Sequence, residues 1–171
     1  TGLLNLPEDI YRPIVDEARN LISVVSFDVE GDLPGLADSA AVYSTGASTI
    51  YASLDNFYVF DQDYSSEDGP LTRIVQFDWH PATGGIDCAA TTAVPGSILN
   101  QFSADENGPY LRIATTVSNS YSGNWTGREE NTLFVLQEDD GILEYVGSLQ
   151  NLALDETIRS VRFMGDRAFV T

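Results

Sequence analysis

The sequence predicts an all-β chain of repeated antiparallel units, and three observations carry that prediction. From Leu21 onward, short runs rich in Val, Ile, Phe, Tyr and Thr alternate with Gly, Asp, Asn and Ser clusters every 8 to 15 residues. No run alternates with a convincing helical segment, so a parallel βαβ sheet is not expected. Similar hairpin sequences also return at a period of roughly 55–60 residues, the kind of spacing that marks stacked structural repeats.

Taken in order, residues 1–20 form a lead-in segment whose Pro7 and Pro13 oppose a long helix. The strands expected after it are Ile22–Val29, Ala40–Ser44 and Thr49–Phe60, the last with a break at Asp55-Asn56. Arg73–Trp79, Ile86–Val94, Ile98–Ser103 and Tyr110–Thr116 follow, then Thr132–Gln137, Leu143–Leu149, Ile158–Phe163 and Arg167–Val170.

Two series define the repeat. In SAAVYSTGASTIYAS (39–53), LNQFSADENGPYLRIATT (99–116) and SVRFMGDRAFVT (160–171) an apolar strand reaches an aromatic, a Gly-bearing turn follows, and a second strand ends in Ser or Thr. The aromatics Tyr43, Phe102 and Phe163 lie 59 and 61 residues apart. VSFD (25–28), VQFD (75–78) and VLQE (135–138) form the second series, 50 and 60 residues apart. A unit of this size holding four short strands is what a β-propeller blade requires.

On that count 21–38 supplies the last strand of a preceding blade, 39–96 is blade A, 97–154 is blade B and 155–171 is half of blade C. Residues 21–171 are therefore expected to be part of a propeller, with a longer parent chain and a free sheet edge at each end. A β-sandwich with chance likeness between hairpins is the alternative.

The stretches VPGSILNQFSADENGPYLRIATT (94–116), TLFVLQEDDGILEYVGSLQNLALDETIRSVRFMGDRAFVT (132–171) and RIVQFDW (73–79) resemble a family of bacterial and archaeal secreted proteins. That family carries a C-terminal β-propeller distantly related to WD repeats, and its function is unknown. The resemblance covers the chain from about Leu21. It implies a propeller, export from the cytoplasm and a secreted or cell-surface setting, with any signal peptide outside this chain. It supplies no catalytic residue.

Composition narrows the partners. Twenty-six acidic residues face eight basic ones, all arginine, for a net charge of −18. Such a balance opposes binding to nucleic-acid phosphates and docking on anionic membranes. It fits selection for solubility, a high-salt habitat or a cationic partner. Cys88 and His80 each stand alone, which excludes an intrachain disulfide and a cysteine-based zinc site. His80 reads as a turn residue, and no run approaches the ~20 apolar residues of a membrane helix.

No catalytic, metal or cofactor-binding residue is assigned, and no cofactor is expected. The loop FDQDYSSEDGP (Asp61, Asp63, Glu67, Asp68) offers carboxylates to a Ca²⁺ ion but lacks EF-hand spacing. DVEGDLPG (Asp28, Glu30, Asp32) is a weaker version of it. Asp139-Asp140-Gly141 reads as a hairpin turn. Trp79, Trp125, Tyr121, Tyr58 and Tyr64 are candidate sugar-stacking aromatics, Trp125 foremost, and Asn124-Trp125-Thr126 matches a glycosylation sequon.

The expected function is a non-catalytic binding or assembly module recognising protein or glycan through its loops. The rivals are part of an extracellular hydrolase with an axial carboxylate site, and a calcium-stabilised structural module. Further blades of the parent, or a second copy, are expected to cover the open sheet edges.

Overall fold

The computed structural model describes residues 10–11, 20–30, 33–45, 48–66, 69–118 and 129–171. Most of the lead-in segment therefore lies outside the described residues. All the regular structure described is β, apart from a single 3-10 turn at Gln101–Ser103.

Strands β1 (Ile10–Tyr11), β2 (Asn20–Asp28) and β3 (Gly35–Ser44) form a first sheet in the order β1-β3-β2. Strands β4 (Ser48–Ala52), β5 (Asn56–Asp63), β6 (Leu71–His80) and β7 (Gly85–Pro95) make an antiparallel meander, blade A. Blade B comprises β8 (Ser97–Ile98), β9 (Ala104–Asn107), β10 (Tyr110–Ser118), β11 (Glu129–Asp139) and β12 (Ile142–Leu152). Its innermost strand is split between β8 and β9, both of which pair with β10. A final hairpin joins β13 (Val161–Met164) to β14 (Arg167–Val170). One parallel bridge, Ile142↔Thr91, links the outer strands of the two blades.

The strand at 40–44 corrects the sequence reading. It was expected to open blade A, but β3 pairs with β2. The four strands of blade A instead come from dividing 49–60 at the predicted break, where Ser53 and Asn56 close a tight turn around Leu54-Asp55.

Each strand alternates side chains between two faces, and in blade A both faces are buried. Tyr58, Phe60, Ile74, Ala90 and Val94 point towards blade B, meeting Leu111, Ile113, Phe134, Leu136 and Leu143. Val59, Val75, Phe77 and Ile86 point the other way, onto Ala40 and Val42 of the first sheet. Blade B in turn offers Ala114 and Leu133 to Ile158 and to Val161, Phe163 and Val170 of the last hairpin. Four sheets thus stack face to face with three apolar layers between them, which is blade packing; a two-sheet sandwich has one such layer.

A β-bulge marks the repeat more sharply than any residue identity. The register slips between Ser26/Phe27, Gln76/Phe77 and Val135/Leu136, each time with an extra residue on the following strand: Ala37, Ala89 and Val146. Bulges increase local twist, and this one recurs where an outer strand leaves its neighbour. The VSFD and VQFD segments hold equivalent places, and VLQE is shifted by one. β2 and β3 therefore correspond to the third and fourth strands of blades A and B.

The aromatic series does not survive in the same way. Tyr43 lies on β3, Phe102 in the 3-10 turn and Phe163 on β13. The true equivalents are the turns Leu54-Asp55, Gly108-Pro109 and Gly165-Asp166, so β13–β14 supplies the first and second strands of a blade.

Candidate functional site

Connections between blades are held by polar latches on each second strand. In blade A, Asp61 accepts from Ser44 Oγ at 2.8 Å and from Thr45 N at 3.0 Å. The equivalent residue of blade B, Thr115, donates to Pro95 O at 2.7 Å. Gly96 follows with φ +90°, and a Cβ there would lie 2.8 Å from Thr116 O, so only glycine fits.

Asp63 is buried among Ser65 N at 2.8 Å, Ser65 Oγ at 2.6 Å and the Arg73 guanidinium. Burial pushes its carboxyl up, but the Ser65 hydrogen bonds and Arg73 outweigh this and hold it below the ordinary value near 3.8. Asp61 and Asp63 of the candidate calcium loop thus face protein donors, while Glu67 and Asp68 lie outside the described residues.

A lowered folded pKa contributes stability above the unfolded value that is lost as pH falls through the folded one. Thermal melts between about pH 6 and pH 2 are therefore expected to show a steeper acid loss for the wild type than for Asp63→Asn. Parallel curves would contradict the latch.

The other candidates scatter. Asp28 caps its own turn by accepting from Glu30 N at 2.8 Å; Asp32 lies outside the described residues. Asp140 and Gly141 form the expected hairpin turn, with φ 49° and 84°. His80 closes the β6–β7 hairpin and pairs with Asp87 at 2.9 Å. Cys88 has its thiol pushed up to about 11 by partial burial and by Asp78, so it stays protonated at neutral pH.

Of the aromatics, Tyr58 is only 2 % exposed and stacks on Tyr51 and Phe60, which removes it from sugar stacking. Burial, followed by the nearby Glu106, raises its pKa. Tyr64 is exposed and donates to Gln62. Tyr121, Trp125 and the Asn124 sequon lie outside the described residues.

Trp79 stands apart. It is 45 % exposed, stacks on Phe57 with ring centroids 5.3 Å apart, and lines a groove of about 870 Å³. Val25 to Asp28 of β2 and Pro81 to Gly84 of the β6–β7 turn line it as well. Ser26 Oγ donates to Gly84 O and ties β2 to that turn. Phe27 is 61 % exposed, although its equivalents Phe77 and Leu136 are each 1 % exposed. Among the described residues β2 pairs only with β3, so its other edge opens along this groove.

A family model described as a beta propeller domain matches residues 3–171. The chain belongs to the beta propeller domain family. This propeller is 45 % identical over 85 residues to an uncharacterized protein of Archaeoglobus fulgidus, covering 50 % of this chain and 12 % of that protein. It is 42 % identical over 79 residues to the uncharacterized protein MJ1554 of Methanocaldococcus jannaschii, covering 45 % of this chain and 11 % of that one. The matched stretches thus span about one eighth and one ninth of these relatives. No solved structure matches the propeller.

Proposed function

We propose that this propeller is a non-catalytic binding and assembly module, exported and acting at the cell surface. Its groove accepts an extended segment of a protein partner along the edge of β2 that is unpaired among the described residues. The observation that carries the reading is one juxtaposition: an open strand edge lies beside a half-exposed Trp79–Phe57 stack. Main-chain hydrogen bonds along an edge provide affinity, and alternate side chains entering flanking pockets provide selectivity. The acidic surface favours a segment with cationic side chains next to its apolar ones. Export is supported by the resemblance to secreted proteins, a separate line of argument.

Selection of extended peptides from a displayed library against the immobilised chain tests the reading. Peptides alternating aromatic and basic residues are expected to be enriched, and Trp79→Ala to weaken them roughly tenfold or more. Failure to enrich any peptide, or indifference to Trp79→Ala, would overturn it. Capture of soluble glycans by the same surface would move the site to sugar recognition.

A further inference from the structure

Away from β2 and Trp79, a groove of about 380 Å³ is lined by β4 of blade A, by β9 and the 3-10 turn of blade B, and by β13 of the last hairpin. We infer that it binds a small aromatic monocarboxylate, with Arg162 taking the carboxylate and the apolar side chains around it taking the ring. This is a second site with its own ligand, and it does not rest on the reading of the groove at β2.

Charge singles out Arg162. In a chain with 26 acidic residues and eight basic ones, an arginine is expected to find a carboxylate, and Arg73 and Arg112 do so with Asp63 and Asp105. Arg162 forms no ion pair among the described residues, and none of their oxygens accepts from its side chain. Its guanidinium carbon lies instead 6.0 Å from the centre of the Phe102 ring, and both residues line the groove. A cation held against an aromatic face keeps its N–H donors for a ligand, and the guanidinium fork matches the two oxygens of a carboxylate.

The competing anion is already occupied. Asp105 is the one carboxylate among the described lining residues. Arg112 Nε donates to its Oδ2 at 3.1 Å, and Arg112 Nη2 donates to the same oxygen. Arg162 therefore remains the uncompensated charge of the groove.

The other lining residues select the body of the ligand. Phe102 is 58 % exposed and Ile50 50 %, and Ala52, Ala104 and Phe163 add further apolar surface. A ligand ring covers such side chains with favourable aromatic contacts. The Tyr51 hydroxyl accepts from Glu106 N at 3.0 Å and retains its own proton for donation. A single negative charge suits the site better than two, because the net charge of −18 repels each added one. The volume suits a one-ring acid.

Titration of the isotope-labelled chain with phenylacetate, neutral phenylacetamide and inorganic phosphate, followed by amide chemical shifts, tests the inference. Phenylacetate is expected to give saturable shifts at Gln101–Asp105 and Arg162–Phe163, with a roughly millimolar dissociation constant or a tighter one. Phenylacetamide and phosphate should each bind at least roughly tenfold more weakly. Arg162→Gln should weaken phenylacetate by a similar factor, with Arg162→Lys falling between it and the wild type. Phe102→Ala should weaken it as well. Both side chains are exposed, so these variants are expected to melt like the wild type. The absence of saturable shifts well above millimolar phenylacetate would overturn the site, as would shifts that Arg162→Gln leaves unchanged. Phenylacetamide or phosphate binding as tightly as phenylacetate would overturn the assignment of an aromatic acid.

Discussion

Replacing Phe60 by alanine is expected to destabilise the chain by about 3–5 kcal/mol, which lowers the melting temperature by roughly 6–20 °C. Phe60 is fully buried between blades A and B, stacked on Tyr58 and surrounded by the layer that holds Ile74, Leu111 and Ile113. Removing its ring takes away apolar burial and leaves a cavity that two rigid sheets close only in part. Phe169→Ala is the control, since Phe169 is half exposed on the last hairpin and should cost well under about 1 kcal/mol. Thermal or urea melts of both variants check the pair. Equal losses would mean that the layer between the blades is not the core.

Asn131 gives the second large effect. It is 1 % exposed, accepts from Thr116 Oγ1 at 2.7 Å, and donates to Leu152 O, Ala153 O and Glu156 O at 2.9, 3.2 and 2.6 Å. Three carbonyls converge on one amide because the chain turns sharply there, with Asn151, Ala153 and Asp155 all at positive φ. Asn131→Ala leaves those oxygens without their donor, a loss of about 1–3 kcal/mol.

Asn131→Asp should be worse near neutral pH despite its matching shape, since a buried carboxylate would face three carbonyl oxygens. Its folded pKa would then lie above the unfolded value, so the protonated form would stabilise the fold at low pH and that contribution would disappear as pH rises. Urea melts at pH 4 and pH 7 separate the cases. An aspartate variant as stable as wild type at pH 7 would contradict the role given to the amide.

The sequence made the strands and their period legible because both are written in residue type. Val, Ile, Phe and Tyr runs mark the strands, and turns such as Asp140-Gly141 separate them. Grouping strands into sheets was harder, since the strand at 40–44 is as apolar as any first strand and only its pairing with 20–28 places it. The aromatic register failed for a related reason. The equivalent cross-strand pairs are Tyr51/Tyr58, Asp105/Arg112 and Arg162/Phe169, and their chemistry changes from blade to blade while their pairing persists. No residue identity connects them. The bulge residues Ala37, Ala89 and Val146 are equally mute.

The groove was invisible for a different reason. Phe27, Phe57 and Trp79 come from two sheets and converge only after folding, so no local pattern announces them. Trp79 is among the candidate sugar-stacking aromatics, whereas Phe27 and Phe57 carry no such signal. Asn131, too, reads as a polar residue at the head of a strand, and only the return of 152–156 reveals its three acceptors.

The central claim is that the edge of β2 unpaired among the described residues accepts a strand beside Trp79. Amide hydrogen exchange along Leu21–Asp28, with a library-selected extended peptide titrated in, measures it most directly. Alternate amides of β2, those pointing away from β3, are predicted to slow as the peptide saturates, while the amides bonded to β3 stay as they were. Saturating peptide that leaves those edge amides exchanging freely would contradict the account.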